Sequence, residues 1–205
     1  MRTGVYGGTF NPIHRGHVHI LGEFIRRRGL DRTLLIPAGT PPHKVPHALA
    51  APEDRVRMCR LAAESLPGKI EISTIELDRP GKSFTSETLT ELAARYPGDE
   101  FFFLMGEDMF LTVDRWHDPD TIFRLAALCA SPRSPEGMAR LLAQKQRLET
   151  LGARCCVEDI PFLDISSTQV RERVIAGKPI ASLVPDEVAA YIEEHHIYGG
   201  EPHDL

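Results

Sequence analysis

The sequence predicts an α/β fold with a doubly wound, mostly parallel sheet and helices on both faces. Short apolar runs alternate with amphipathic helical stretches along the whole chain, as in repeated βαβ units. Several of these runs are apolar at successive positions, which is typical of strands that are covered on both faces. No internal repeat or obvious linker interrupts the pattern. We therefore expect a Rossmann-like architecture in a single domain over residues 1–205.

Composition limits the classes of function. The 205 residues are 42% hydrophobic and 26% charged, which is typical of a globular protein, and the formal net charge is -5. An acidic balance provides no general positive field for a nucleic-acid backbone, so we expect no nucleic-acid partner. The first ten residues lack the apolar core of a signal peptide, and no stretch approaches ~18 consecutive apolar residues. We expect a cytoplasmic protein without a membrane partner.

Cysteine spacing argues against both a disulfide framework and a zinc site. The four cysteines include no C-x-x-C pair, and two of them are adjacent. We expect reduced, buried thiols at Cys59, Cys129, Cys155 and Cys156.

The first third of the chain predicts two strands and two helices. "TGVY" is a buried strand, and "GHVHILGEFIRRRG" is a helix with Gly29 where a left-handed C-terminal residue is favoured. "RTLLIP" is the second strand. "PEDRVRMCRLAAESLPG" is the second helix, because proline and two acids open it and Pro-Gly ends it.

The middle of the chain continues the alternation. "KIEISTIEL" alternates as a strand should, and "SETLTELAARYPG" is a helix for which Ser86 is the predicted N-cap. "EFFFLMGED" has five apolar residues before Gly106 and is the strongest strand signal in the chain. "TIFRLAALCAS" ends in a further buried strand.

The last third predicts three helices and one short strand. "PEGMARLLAQKQRLETLG" is a long amphipathic helix and "RCCVED" a short strand. "STQVRERVIAGK" is a helix ended by Gly177, and "PDEVAAYIEEHHIYG" is the final helix.

The loop "GGTFNPIHRGH" follows the first strand and opens the first helix, which is a favourable place for phosphate. Gly7 and Gly8 would let backbone amides approach oxygen atoms closely, and His14 and His17 can donate N–H bonds to them. The Walker A pattern is absent. A metal site with His19 is disfavoured, because that residue would lie on another face of the helix.

The stretch "ISSTQVR" also suits an anion. It offers hydroxyls and free amides at a helix N-terminus, and Arg171 lies on nearly the same face as Thr168. Taken alone, these residues favour a simple cap with an exposed arginine; together with the first loop they favour phosphate binding.

Both stretches resemble motifs of the nucleotidyltransferase superfamily. "GGTFNPIHRGH" is similar to its G-G-T-F-D-P-[IV]-H-x-G-H signature, with Asn11 in place of the usual aspartate, and "ISSTQVRERV" is similar to its I-S-S-T-x-[IV]-R element. The resemblance implies that residues 165–198 complete the ATP site. It implies catalytic roles for His14, His17 and Arg171, and ATP contacts from Gly7, Gly8, Thr9, Phe10, Gly16, Gly106, Asp108, Ile165, Ser166, Ser167 and Thr168. It also implies that Mg²⁺ enters on the ATP phosphates and not on a dedicated protein site.

Three further stretches, "TPPHK", "GKSFTSETL" and "GEDMFLTVDRWHD", resemble elements of nicotinate mononucleotide adenylyltransferases. The implied mononucleotide contacts are Lys44, Phe84, Thr85 and Trp116. A tryptophan can stack on a pyridine ring, and amides near Phe84 can hold a carboxylate.

The expected activity is therefore AMP transfer from ATP to nicotinate mononucleotide, giving deamido-NAD and pyrophosphate, in a possible homo-oligomer. Other functions remain open: a sister enzyme that uses nicotinamide mononucleotide or phosphopantetheine, a cytidylyltransferase, or a regulator that binds ATP without turnover. The role of Asn11 is also open: an amide can cap the loop as an acid would, but it cannot orient a cation in the same way.

Overall fold

The fold is a six-stranded parallel sheet with helices on both faces. The computed structural model describes residues 1–39, 49–134 and 136–199, and within them the strand order is β3-β2-β1-β4-β5-β6. The strands are β1 (Arg2–Gly8), β2 (Arg32–Pro37), β3 (Lys69–Ile72), β4 (Glu100–Gly106), β5 (Ala126–Ser131) and β6 (Arg154–Val157). This order and the parallel pairing confirm the predicted Rossmann-like, doubly wound fold.

Helices follow the strands, and six of the described helices were predicted from the periodicity. They are α1 (Arg15–Arg28), α2 (Pro52–Ala63), α3 (Thr85–Arg95), α4 (Glu107–Phe110), α5 (Pro119–Leu125), α6 (Gly137–Thr150), α7 (Ser167–Ile175) and α8 (Asp186–Glu194), with a 3-10 turn at Val113–Arg115. One apolar cluster packs α1, α2, α7 and α8 on one face of the sheet, and a second packs α3, α5 and α6 on the other. Among the described residues, no helix is long and apolar enough to cross a membrane.

The position of the candidate site follows from the point at which the strand order of the sheet reverses. Strand β1 pairs with β2 on one side, where Gly8 lies opposite Pro37, and with β4 on the other, where Tyr6 lies opposite Leu104. The chain leaves β1 toward one face and β4 toward the other, so a crevice opens beyond their carboxyl ends. The two loops that carry the phosphate motif and Gly106 therefore meet at this edge.

Several predicted boundaries are confirmed, and several predicted elements, including β3 and α2, are longer than the real ones. Strand β2 has the predicted limits, and Gly29 and Gly177 are left-handed with φ of 56° and 62°. Strand β3 stops at Ile72 instead of continuing to residue 77, because it is an edge strand and the chain then turns back on Thr74. Helix α2 ends at Ala63, before the predicted Pro-Gly stop.

Ser86 is not an N-cap, which corrects the prediction. Helix α3 begins at Thr85, and Phe84, two residues before Ser86, occupies the N-cap position. The Ser86 side chain is buried inside the helix, where its hydroxyl has no hydrogen-bond partner in the described part of the chain. The start of the helix is decided by the packing of its apolar face rather than by the serine.

Candidate functional site

The loop after β1 is held in one conformation by a buried phenylalanine. Phe10 is 3% exposed and has a φ of 46°, which is unusual for a residue with a side chain. A Cβ at Gly8 would lie 2.8 Å from the Phe10 ring, so only glycine fits there. The peptide bond between Asn11 and Pro12 is cis. The glycine that the sequence assigns to phosphate contact is thus required by the loop itself.

His14 and His17 cap helix α1 reciprocally. The Nδ1 atom of His14 accepts from the His17 backbone N–H at 3.4 Å, and the Nδ1 atom of His17 accepts from the His14 N–H at 3.2 Å. The rings stack with centroids 3.6 Å apart. A Cβ at Gly16 would lie 3.0 Å from His14 Nδ1, so glycine makes room for this ring. Because each Nδ1 accepts, a neutral ring carries its proton on Nε2, which leaves two N–H donors for a ligand.

The surroundings keep both imidazoles neutral. Burial, and to a smaller extent the positive charge of Arg133, lowers the pKa of His14 to about 4. The pKa of His17 is also lowered well below its usual value by burial, by His14 and by Arg133. At pH 7 and in the absence of an anion, the pair therefore presents neutral N–H donors.

A buried arginine supports the same loop. The Arg55 side chain, 1% exposed, donates from Nη1 to the carbonyl oxygens of Thr9 and Ala38, both at 2.8 Å. Its Nε donates to the carbonyl oxygen of Ala50 at 3.3 Å. Helix α2 thus joins the loop after β1 to the segments that flank residues 40–48. The sequence analysis missed this role, because an arginine in an amphipathic helix is normally a solvent-exposed charge.

The first turn of α7 uses its hydroxyls within the protein. Ser166 is the N-cap and accepts from the Gln169 N–H at 3.1 Å, while Ser167 Oγ donates to the carbonyl oxygen of Pro12 at 2.8 Å. Thr168 Oγ1 accepts from Arg171 at 3.1 Å. Ile165, just before the cap, is half-buried. These hydroxyls build the cap and the loop contact, and the N–H groups of the first turn are what the helix offers to an anion.

Arg171 connects helix α7 to the loop after β1. Its Nη1 donates to the carbonyl oxygen of Asn11 at 2.8 Å. The Asn11 side-chain Oδ1 accepts from the Ala50 N–H at 3.0 Å and from the Tyr198 hydroxyl at 2.7 Å. The guanidinium predicted from "ISSTQVR" and the loop that carries the histidines are therefore in direct contact.

A cation beside the end of β4, Arg133, was not identified by the sequence analysis. Gly106 precedes the buried Glu107, whose Oε2 accepts from the Arg133 N–H at 2.7 Å. Arg133 Nη1 donates to the exposed carboxylate of Asp108 at 3.3 Å. After burial, its positive charge is the second cause of the lowered pKa of His14. Its place just after β5 was the available signal, since side chains there meet at the switch point.

The predicted mononucleotide residues lie on α3 and on the segment after the 3-10 turn. Phe84 stacks at a tilt on His117, with ring centroids 4.4 Å apart, and Thr85 opens α3. Trp116 is half-buried, lies edge-on to Phe103 at 6.3 Å, and donates from Nε1 to Thr112. Lys44 lies outside the described residues. In the parts of the chain that are described, no group of three or more His, Cys, Asp or Glu side chains could hold a metal.

Comparison with known proteins agrees with this architecture. The model of the Cytidylyltransferase-like family matches residues 5–173. A probable nicotinate-nucleotide adenylyltransferase of Dehalococcoides mccartyi (strain CBDB1) is 37% identical over 199 residues, 97% of each chain. One of Roseiflexus sp. (strain RS-1) is 40% identical over 195 residues, 95% of this chain and 96% of the relative.

Solved structures share the fold at low identity. The nicotinic acid mononucleotide adenylyltransferase of Plasmodium falciparum complexed with NaAD has a TM-score of 0.76 at 17% identity, with 96% of this chain and 97% of that chain covered. The same enzyme complexed with APC has a TM-score of 0.75 at 16% identity, with 96% of each chain covered. Because the sequence relatives match at 37–40% identity along almost their whole length, the chain belongs to the nicotinate-nucleotide adenylyltransferase family within the Cytidylyltransferase-like group.

Proposed function

We propose that the protein transfers the adenylyl group of ATP to nicotinate mononucleotide, giving deamido-NAD and pyrophosphate in NAD biosynthesis. The family assignment supports the reaction. The observation that carries the proposal for this chain is the contact between Arg171 and the loop that presents His14 and His17. Two imidazole donors and a guanidinium beside one crevice suit the oxygens of a polyphosphate.

The polyphosphate would lie between α1, α7 and the end of β4. The Nε2–H groups of His14 and His17 would donate to phosphate oxygens, and Arg171 would add a forked, always-charged donor. We add Arg133 to this group, since its charge already acts on both imidazoles. These groups stabilise the charge that develops on the pyrophosphate leaving group.

The donor set is consistent with Mg²⁺ that enters on the ATP phosphates. Neutral imidazole N–H groups and guanidinium groups bind anions, whereas Mg²⁺ prefers oxygen ligands and commonly keeps the phosphates as partners. Asp108 presents an exposed carboxylate at the same edge of the sheet. When bound, Mg²⁺ neutralises part of the charge on the phosphates.

The acceptor needs alignment more than activation. A phosphomonoester has a second pKa near 6, so its phosphate is largely dianionic at pH 7 and can attack the α-phosphorus without a general base. The amides near Phe84 and Thr85 would hold the nicotinate carboxylate, Trp116 would contact the ring, and Lys44 would add charge near the phosphate. ATP contacts from Gly7, Gly16 and the first turn of α7 complete the proposed site.

A pyrophosphate-release assay tests the proposal. The purified protein with ATP and Mg²⁺ is given nicotinate mononucleotide, nicotinamide mononucleotide or phosphopantetheine in parallel, and the adenylylated product is identified by mass. The highest kcat/KM is expected with nicotinate mononucleotide. Higher kcat/KM with phosphopantetheine would reject the assignment, and ATP binding without pyrophosphate release would indicate a regulator.

A further inference from the structure

Cys156 and its neighbours have no role in the proposed reaction. It is half-buried on the edge strand β6, where the register places it opposite Cys129 of β5. Both side chains belong to the apolar cluster on the α1 face of the sheet. The Nη1 atom of Arg28, the last residue of α1, donates to Cys156 Sγ at 3.3 Å. The sulfur is thus beside one guanidinium and one neighbouring thiol.

The charged groups around this sulfur favour its anion. The neighbouring Cys129 thiol, and then the positive charges of Arg28, Lys145 and Arg154, together lower the pKa of the Cys156 thiol to about 6, against the effect of burial. Glu158 is the nearby acid, and it is paired with Arg28. This ion pair offsets part of the positive charge of Arg28 at the sulfur, so the hydrogen bond from Nη1 is the direct contribution of the guanidinium.

The other cysteines lie in different surroundings. Cys155, the next residue, belongs to the cluster on the opposite face of the sheet, and burial raises its pKa to about 12. Burial also raises the pKa of Cys59, which is completely enclosed. Reactivity of a thiol requires both thiolate character and access, and Cys156 is the cysteine that combines them.

We propose that Cys156 is an oxidant-sensitive site and that Cys129 of the neighbouring strand resolves the oxidised form as a disulfide. The oxidant is a hydroperoxide such as hydrogen peroxide. Adjacent strands lie about 4.8 Å apart, within the range of Cα separations that a disulfide spans. The site includes no residue of the proposed adenylyl-transfer machinery.

The chemistry proceeds in two balanced steps. The Cys156 thiolate attacks one peroxide oxygen, so that an S–O bond forms, the O–O bond breaks and hydroxide leaves; the sulfur loses two electrons and the peroxide gains them. The Cys129 sulfur then attacks Cys156, so that the S–S bond forms and the S–O bond breaks. The departing hydroxide takes up the Cys129 proton as water. Oxidation also removes the Cys156 anion, whose hydrogen bond is the main cause of the raised pKa of Cys129.

Mass spectrometry of the intact protein tests the proposal. After exposure to stoichiometric hydrogen peroxide, the full-length protein should lose two hydrogens in mass, and a peptide pair should link Cys129 to Cys156. Dithiothreitol should reverse both changes. Oxidation at Cys59 or Cys155 in preference to Cys156, or no oxidation of Cys156, would overturn the proposal.

Variants separate the roles of the groups. With Cys129→Ser, a sulfenic acid on Cys156 should persist and react with dimedone, whereas with Cys156→Ser neither product should form. Cys155→Ser is the matched control and should leave the disulfide unchanged. Arg28→Met should move the pH midpoint of Cys156 alkylation by iodoacetamide upward from about 6. An unchanged midpoint in a folded Arg28→Met protein would contradict the role of the guanidinium, and a disulfide in Cys129→Ser would contradict the resolving thiol.

Discussion

Each imidazole of the paired histidines has two separate functions at its two nitrogen atoms. The Nδ1 atoms of His14 and His17 accept backbone N–H groups and so form the start of α1. The Nε2–H groups are then the donors that a polyphosphate can use. A substitution can therefore remove one function and keep the other, which makes the proposed catalytic role separable from the structural one.

Asparagine at position 14 should retain the cap and abolish the catalytic donor. Its side-chain oxygen can take the place of the Nδ1 acceptor, and asparagine is among the best N-caps, whereas it has no group at the position of Nε2. We expect kcat for His14→Asn to fall roughly 100-fold or more, with a free energy of unfolding close to wild type. Pyrophosphate release and urea unfolding measure the two quantities.

His14→Ala is the matched variant for the cap. It should lose activity to a similar degree and in addition about 1 kcal/mol of stability, because the His17 N–H loses its acceptor. Wild-type turnover in His14→Asn would remove His14 from the catalytic group.

The lowered histidine pKa predicts that acid weakens the fold. Because the folded-state pKa of His14 is about 4 and the usual value is 6.5, the unfolded chain binds a proton first as the pH falls. The contribution of His14 to stability is complete above pH 6.5 and is lost between pH 6.5 and 4, by roughly 3 kcal/mol at most. Urea unfolding across this range should show a shallower pH dependence for His14→Asn. Equal slopes in the two proteins would argue against the lowered pKa.

At the scale of elements, α7 combines a tie to the N-terminal loop with a positive charge. Arg171 contacts Asn11 through its guanidinium, and Ser167 contacts Pro12 through its hydroxyl. Lysine keeps the charge of Arg171 but not the planar fork. We expect Arg171→Lys to lower kcat about 10- to 100-fold.

Ser167→Ala is the matched control. It removes a loop contact without removing charge, so it should cost about 1 kcal/mol of stability and leave kcat within a few-fold. Steady-state kinetics and urea unfolding distinguish these results. Equal losses of kcat in the two variants would mean that the contacts between α7 and the N-terminal loop matter more than the planar shape of the guanidinium.

Helix α3 provides a stability prediction from a buried hydroxyl. The Ser86 side chain is enclosed and its hydroxyl has no partner among the described residues, while the Ser86 carbonyl accepts from Thr90 Oγ1. Ser86→Ala removes the unpaired hydroxyl and raises helix propensity, so it should stabilise the fold by roughly 0.5–1 kcal/mol. Thermal and urea unfolding measure the change. Destabilisation by more than about 1 kcal/mol would show that the hydroxyl has a partner after all.

At the scale of the whole molecule, Asn11 lies where both ends of the chain meet. Its Oδ1 accepts from Ala50 and from Tyr198, and an aspartate at this position could accept the same two bonds. We expect Asn11→Asp to fold with stability within about 1 kcal/mol of wild type and to keep its KM for ATP within a few-fold, because the neighbouring Arg55 and Arg171 balance the new charge. A large change in kcat with stability unchanged would favour a role for this position in orienting a cation or a protonated histidine.

Tyr198→Phe is the control for that comparison. It removes one of the two donors to Asn11 and leaves the charge unchanged, so it should cost about 1 kcal/mol and show whether the C-terminal segment is needed for turnover.

Much of the fold was predictable because it depends on local patterns. The apolar run before Gly106 needs burial on both faces, and the alternation of such runs with amphipathic helices leaves a parallel sheet as the arrangement that satisfies it. The positions of Gly29 and Gly177 were predictable for a backbone reason, since each takes a left-handed conformation. The end of β3 was not predictable, because alternation continues past Ile72 while its only partner in the described sheet is β2.

The sequence by itself determined which residues could form the site, because His14, His17 and Arg171 occur in motifs whose chemistry is local. Only the tertiary structure decided how they are held: Arg55 binds carbonyls from distant loops, and Arg133 acts on the histidine pair from across the switch point. Such contacts depend on the register and order of parallel strands, which join residues far apart in the chain. A pattern within a short window of sequence carries no information about that pairing.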